Sequence, residues 1–543
     1  MNNDKKLAVI TGWIAFAIAF IVYCFSVEPT GSLWDCGEFI LGAYKLQVVH
    51  PPGAPLFLLV GRLFTWVADM VSNNPEDIAF SVNLMSAAST SMCAAFVAWT
   101  TITFSRLSMV GRNQPLTKEQ SFVTCGAGLA AGLATAFCSS IWFSGVEGEV
   151  YAMSTMFTTL TVWAAVRWYG MEDTPEADRW LIFAVYCAGL SIGVHLLSLL
   201  TFPALGLLYY FKKYKTVNFG GLVLALIGGA LMIPVIQKIV IVGVPSLWSK
   251  MELLMVNSFG LPIHSGIIPT ILILVGLSIF GIRWARKRNN GLAERLIVTM
   301  ILLVISFSTI GVVVIRANAN TPINMNDPSD AMRLIPYLNR EQYGERPLVR
   351  GPHYEADPVD TEKEDRYGIV GDRYEVVDQK LTYIYRDEDK ILFPRISHSD
   401  GPRPSLYRRW MGDENGKPSM GFNLEFFFRY QIGWMYWRYF MWNFAGRENG
   451  EQGNEPWNPK NGHWISGFNF LDSARLFNME KMPETMKNNQ TRNRYYMIPL
   501  IMGIIGLFYQ YKRQKRDFTA LIVLFFFTGI GIILYSNQPP NEP

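Results

Sequence analysis

The sequence predicts an all-α polytopic membrane protein with one α+β domain inserted between two of its spans. Half of its 543 residues are hydrophobic and only 17% are charged, too apolar a balance for a soluble chain of this length. Apolar runs of membrane-crossing length recur along the chain, because about 20 such residues in a helix span the hydrocarbon core. Lys and Arg cluster in every second connection between those runs, the asymmetry expected of cytoplasmic loops.

The runs lie at about 7–27, 80–104, 121–140, 149–168, 219–243, 267–283, 294–315, 495–511 and 518–536. The first is too long for a signal-peptide core and lacks a small-residue cleavage site, so it counts as a span. The stretch 180–211 holds Gly189, Gly193, His195 and Pro203, and reads as two short helices meeting near His195. That makes about eleven spans. The basic clusters Lys5–Lys6, Arg106–Lys118, Arg167–Arg179, Lys212–Lys215, Arg283–Arg295 and Lys512–Arg516 then share the cytoplasmic side, with the N-terminus inside and the C-terminus outside.

Two outer connections are long. In 28–79 the apolar stretch Ala54–Met70 contains Arg62; it reads as a helix lying in the interface, since another crossing would invert every later loop. The second, 316–494, is large enough to fold as a domain. Its segment Tyr367–Tyr385 is the strand-forming part. Arg429–Phe444 packs Trp and Tyr densely, either as a headgroup-level anchor or as a wall for a sugar or lipid. The chain thus divides into a membrane module at 1–315, an extracytoplasmic domain at 316–494 and terminal helices at 495–543.

Chemistry concentrates at the outer face. Asp35 and Glu38 in Trp34-Asp35-Cys36-Gly37-Glu38-Phe39 are three residues apart, so on a helix both project from neighbouring turns of one side. Ser32-x-x-Asp35 also fits a helix-capping box, but a cap uses one carboxylate, and ionisable residues held at a membrane face mark functional sites. Such a pair suits general acid–base work, and equally Mg2+ or Mn2+. Glu147 and Glu149, beside Tyr151, sit before the fourth span. They either answer that helix's dipole or face a polar ligand, a cation or a basic partner. His50, in His50-Pro51-Pro52-Gly53, and His195 also lie outside; a single His in an apolar setting is either a hydrogen-bonded structural residue or a ligand. Arg316 begins a segment with Asn320 and Asn324, and Arg333 follows. Their planar guanidinium forks suit a lipid-borne phosphate or plain headgroup contact.

Several classes are excluded. The Walker loop, the dinucleotide fingerprint, the zinc-hydrolase motif and the nucleophile elbow are absent from the contexts they require. The six cysteines form no disulfide or metal spacing. The basic residues serve as topology signals rather than one basic face, so nucleic acid is not a partner.

Trp34–Phe39, His50–Gly53, Glu147-Gly148-Glu149-Val150-Tyr151-Ala152, Gly189–His195 and Asn320-Thr321-Pro322-Ile323-Asn324 together resemble a family of bacterial membrane proteins long catalogued as a domain of unknown function and similar to protein O-mannosyltransferases. The resemblance implies a GT-C-type glycosyltransferase of the bacterial inner membrane. Its donor would be a polyprenyl-phosphate-linked sugar, and its acceptor a hydroxyl on the periplasmic side, as in O-glycosylation of Ser or Thr on an exported polypeptide. It also implies a catalytic base in the first outer loop, a role carried to Asp35. In the better-known mannosyltransferases the two acids are adjacent; here two residues separate them, leaving Asp35 and Glu38 both open as the base. The other readings are a glycolipid acceptor, a membrane scaffold within an envelope or secretion complex, and a transporter, for which the broken 180–211 pair speaks.

Overall fold

The computed structural model describes residues 3–72, 74–112, 114–344, 346–413 and 415–540. They form two compact units, residues 1–344 with 365–378, and 345–364 with 379–543.

The first unit is helical. Its opening helices are α1 (Asn3–Cys24), α2 (Cys36–Lys45), α3 (Pro55–Val71), α4 (Pro75–Val110), α5 (Lys118–Ala136), α6 (Ser139–Gly145), α7 (Val150–Gly170) and α8 (Pro175–Ser191). Local chemistry sets their starts. Asn74 accepts from the Glu76 amide with Pro75 at the first helical position, Thr117 and Gln120 form a reciprocal capping box, and Thr174 caps α8 ahead of Pro175, each satisfying amides that a helix start leaves orphaned. After α8 the chain breaks near His195, passes through a 3-10 turn at Leu196–Thr201 and resumes as α9 (Phe202–Lys213). The two short helices expected there are present. Next come α10 (Phe219–Val235), α11 (Gly243–Leu253), α12 (Ile267–Lys287), α13 (Gly291–Phe307), α14 (Gly311–Asn318) and α15 (Ala331–Leu338).

Among the described residues, six helical stretches are long and apolar enough to cross a membrane: Asp4–Cys24, Pro75–Val110, Phe219–Ser258, Ile267–Lys287, Gly291–Asn318 and Lys515–Ser536. The α5–α6 pair, bent by 67°, makes a seventh if counted as one span. Among the described residues, length and apolarity thus give six to seven spans and do not confirm eleven, for local reasons. Five hydroxyl side chains between Ser154 and Thr161 dilute α7, the break at His195 divides 180–211 into short pieces, and Ile498–Arg513 has only 16 helical residues. The helix α3 is one-sided: Phe57, Leu58, Gly61, Thr65 and Ala68 are buried, whereas Leu63, Trp66, Val67 and Met70 face outward.

The second unit is a small mixture of helices and strands. Strands β1 (Arg350–Pro352) and β4 (Lys390–Leu392) pair antiparallel, as do β5 (Gly446–Arg447) and β6 (Asn493–Arg494), and β2 (Pro358–Val370) pairs with β3 (Arg373–Tyr385) in a hairpin whose tip, 365–378, belongs to the first unit. The strand signal read over Tyr367–Tyr385 thus falls on a real hairpin. The aromatic run is less a surface than a core. Tyr430 and Trp434 are buried with Tyr354, Tyr407, Trp410 and Phe426, and the Arg438 guanidinium lies 3.8 Å over Trp434.

Candidate active site

Three segments of the first unit converge on α2. Glu28 donates its amide to Val146 at 2.9 Å, and the fully buried Asn83 of α4 donates to the carbonyls of Glu28 (2.7 Å) and Thr30 (2.8 Å). The loop entering α2 is therefore held from both sides. Gly148 explains its place in the acidic motif, since a Cβ there would stand 2.9 Å from Asn83 Oδ1 and 3.1 Å from Ile40. At the far end of α2, Arg316 donates to the carbonyls of Leu46 (2.7 Å) and Lys45 (3.1 Å), a cation where helix carbonyls lack partners.

The next turn is fixed from the same region. Val48 forms a parallel bridge with Asn324, Gln47 accepts from the Ile323 amide at 2.7 Å, and the buried Tyr337 donates its hydroxyl to the Val49 carbonyl. Asn324 itself donates to Ala317 and Asp327. Asn320 is exposed, in the left-handed region. These contacts present His50 to α2. Gly53 (φ +90°) leaves room for the Tyr337 hydroxyl, which a Cβ would meet at 2.6 Å.

Glu38 accepts two bonds from His50, one from its backbone amide and one from Nδ1, both at 2.7 Å. Burial alone would lift the Glu38 carboxyl, but these hydrogen bonds hold it below the usual carboxylate range. The same bond, against the effect of burial, raises the imidazole. With Nδ1 engaged, Nε2 is aimed at Asp35, 3.9 Å from Oδ2. Asp35 sits at the N-cap of α2 without a side-chain cap bond, its side chain 59% exposed. The capping-box reading of Ser32-x-x-Asp35 is not what forms: Ser32 donates instead to Glu147 Oε2 at 2.6 Å and lies 3.0 Å from Cys36 Sγ.

Glu147 and Glu149 are buried behind this pair. Glu149 accepts from the Val150 amide at 3.2 Å and, weakly, from the Cys36 thiol at 3.8 Å. Burial and then the charge of Asp35 push its carboxyl up to about 7; burial likewise raises Glu147. Tyr151 and His195 face each other with ring centroids 5.7 Å apart, and the buried Nδ1 of His195 has no hydrogen-bond partner among the described residues.

One ligand atom each from Asp35, Glu38 and His50 lies within 4.8 Å of the others, the spacing of a cation site. The two arginines assigned to phosphate in the sequence are engaged elsewhere, Arg316 as above and Arg333 by Asp327, Ser329 and Asp330. Arg340, which no sequence motif singles out, has a charge that, after burial, opposes protonation of His195 and, less than the Glu38 bond favours it, of His50.

Residues 35–218 match the model of the protein O-mannosyl-transferase TMEM260 N-terminal domain, and residues 344–428 match that of a family of unknown function. A protein O-mannosyl-transferase tmem260 of Dictyostelium discoideum is 26% identical over 176 residues, 32% of this chain and 19% of that protein. Its Mus musculus counterpart is 27% identical over 177 residues, 33% of this chain and 22% of that protein. The chain thus spans about a fifth of the length of the curated relatives it matches. No solved structure matches. Through its N-terminal region, which carries Asp35, Glu38, His50, Glu147 and Glu149, the chain resembles the protein O-mannosyltransferases.

Proposed function

We propose that this chain is a GT-C-type membrane glycosyltransferase that moves a sugar, with mannose the first to test, from a polyprenyl-phosphate donor to a Ser or Thr hydroxyl of an exported polypeptide. On this reading α7, the broken α8–α9 pair and the terminal helices complete about eleven spans of the bacterial inner membrane. The basic loops then face the cytoplasm, and the carboxylates with the 316–494 region face the periplasm.

The observation that carries the reading is the difference in occupancy among the acids. Both oxygens of Glu38 accept from His50, Glu147 accepts from Ser32, and Glu149 is bonded, buried and close to neutral. Asp35 alone is open to solvent with no hydrogen bond from a capped amide. This supports Asp35 as the base and Glu38 as the group that orients His50, beside the acceptor or the donor sugar. Asp35 removes the acceptor proton, the acceptor oxygen forms its bond to the anomeric carbon, and the bond from that carbon to the lipid phosphate breaks, the phosphate oxygen leaving with the electron pair. Base catalysis of this kind contributes roughly 10²- to 10⁴-fold.

The test is transfer of radiolabelled mannose from polyprenyl-phosphate mannose to a Ser/Thr-rich peptide by the full chain in lipid nanodiscs. Labelled peptide with wild type and none with protein-free nanodiscs is the expected result. An unlabelled peptide, with label instead on lipid, would move the acceptor to a glycolipid; no transfer to either would end the enzymatic reading.

A further inference from the structure

The turn into α2 is built against the ordinary preference of its residues. Ser32 is fixed by its bond to Glu147 and its contact with Cys36 Sγ, and the buried Cys36 opens the helix. Only Leu33, Trp34 and Asp35 join these two points. Trp34 takes the left-handed region (φ 62°) with its ring exposed, a conformation in which a bulky side chain crowds its own backbone. The residue that follows is turned with it. An Asp at a helix N-cap normally lies extended and accepts from the second or third helical amide. Asp330 does so at the start of α15, with φ −138° and ψ 175° and bonds from the amides of Met332 (2.8 Å) and Arg333 (3.1 Å). Asp35 occupies the same place on α2 with φ −83° and ψ 0°, and its side chain makes no such bond. The amides of Gly37 and Glu38, which that bond would engage, are among those a helix start leaves without intrahelical partners. The same residue type at the same position thus caps one helix and not the other, and the difference lies in the backbone that delivers it.

We propose that Trp34 is a positioning residue: its left-handed turn, imposed by the anchored residues on either side, withholds Asp35 from the cap of α2 and leaves the carboxylate free, 3.9 Å from His50 Nε2. Local stability is given up to keep a base unspent, as at other sites where strained backbone serves function. The proposal rests on the glycosyl-transfer reading only for what the freed carboxylate does.

The experiment compares wild type, Trp34→Gly and Trp34→Val as full chains in nanodiscs. Glycine enters the left-handed region freely, and a β-branched residue resists it most. Trp34→Val should therefore let the turn extend and Asp35 cap the helix. Exchange of the Gly37 and Glu38 amides, followed by hydrogen–deuterium mass spectrometry, should slow about five- to thirtyfold, and kcat for mannosyl transfer should fall by the same factor, that expected of one N-cap bond. KM for the lipid donor should be unchanged, and the melting temperature should not fall. Trp34→Gly should keep exchange and kcat within about threefold of wild type. Equal losses of kcat in the two variants would assign the effect to the indole ring and overturn the proposal. Unchanged exchange in Trp34→Val would also overturn it, as would a Trp34→Val protein that melts well below wild type, which would make the turn purely structural. The exchange measurement separates this proposal from the reading beneath it. Slower exchange in Trp34→Val with no transfer by wild type would leave the turn standing and remove the transferase, while transfer by wild type with exchange and kcat unchanged in Trp34→Val would do the reverse.

Discussion

Replacing Asp35 by Asn separates a catalytic carboxylate from a structural one, because the two roles predict opposite balances of activity and stability. The side chain is 59% exposed, makes no cap bond, and has as its nearest described partner His50 Nε2 at 3.9 Å. Exposed pairs of this kind contribute about 0.2–1 kcal/mol, so the Asn variant should melt within about 4 °C of wild type. As the base of the proposed transfer, its removal should lower turnover by at least about 10²-fold. KM for the lipid donor should change little, because a general base acts on the acceptor hydroxyl in the transition state rather than on donor binding. Initial rates of mannosyl transfer in nanodiscs, with thermal melts followed by circular dichroism, measure both quantities on one preparation. Wild-type turnover in Asp35→Asn would refute the assignment, and a large loss of melting temperature alongside lost activity would place Asp35 among the supports of α2 instead.

Three further outcomes follow from the same geometry. Glu38→Gln keeps the shape but removes a charged acceptor of two bonds, a loss of about 1.5–3 kcal/mol. The Glu38 contribution is present above pH 4.5 and lost as pH falls through its depressed value, while that of His50 is present below pH 6.5 and lost as pH rises through its raised value. The gap in melting temperature between wild type and Glu38→Gln should therefore be widest between those limits; a gap independent of pH would count against the ion pair. Glu149 keeps a proton in the folded state up to about pH 7 that the unfolded chain releases near 4.5, so wild-type stability should decline across that interval. Glu149→Gln, which retains an acceptor for the Val150 amide, should flatten the decline, and identical pH profiles would refute the shift. Finally, EDTA should leave transfer intact: both oxygens of Glu38 already accept from His50, and Asp35 with His50 Nε2 alone makes a weak site for Mg2+, which prefers octahedral oxygen ligands. Loss of activity restored by added Mg2+ or Mn2+ would show that Asp35, Glu38 and His50 hold a metal.

What was legible in the sequence follows the range over which each signal acts. The helices of the first unit announce themselves through hydropathy and through caps such as Asn74-Pro75 and Thr174-Pro175, which operate within one turn. Their number as spans was less legible, because a run such as 149–168 owes its apolarity to Trp, Phe and Met while its Ser and Thr lower the mean, and burial against other helices requires no such mean. The break at His195 could be read, since Gly189, Gly193 and Pro203 act locally. The aromatic run at 429–444 could not, because composition does not distinguish a surface from the interior that Tyr430 and Trp434 occupy.

The same distinction explains the site. Asp35, Glu38, His50, Glu147 and Glu149 stand out because each lies in a short motif whose spacing carries meaning. The arginines have structural partners that the sequence does not show. Arg316 lies in the last turn of α14 and Arg333 in the first turn of α15, positions where a guanidinium is as useful to orphaned carbonyls and to Asp327 and Asp330 as to any ligand. Sequence shows the cation and not its partner. Tyr337 lies in no such motif, yet it reaches back over 288 positions of sequence to the Val49 carbonyl and so fixes the residue that precedes His50. Motif spacing therefore identifies the acids, Asp35 at the N-cap of α2 and Glu38 in its first turn, and long-range packing decides which groups meet them.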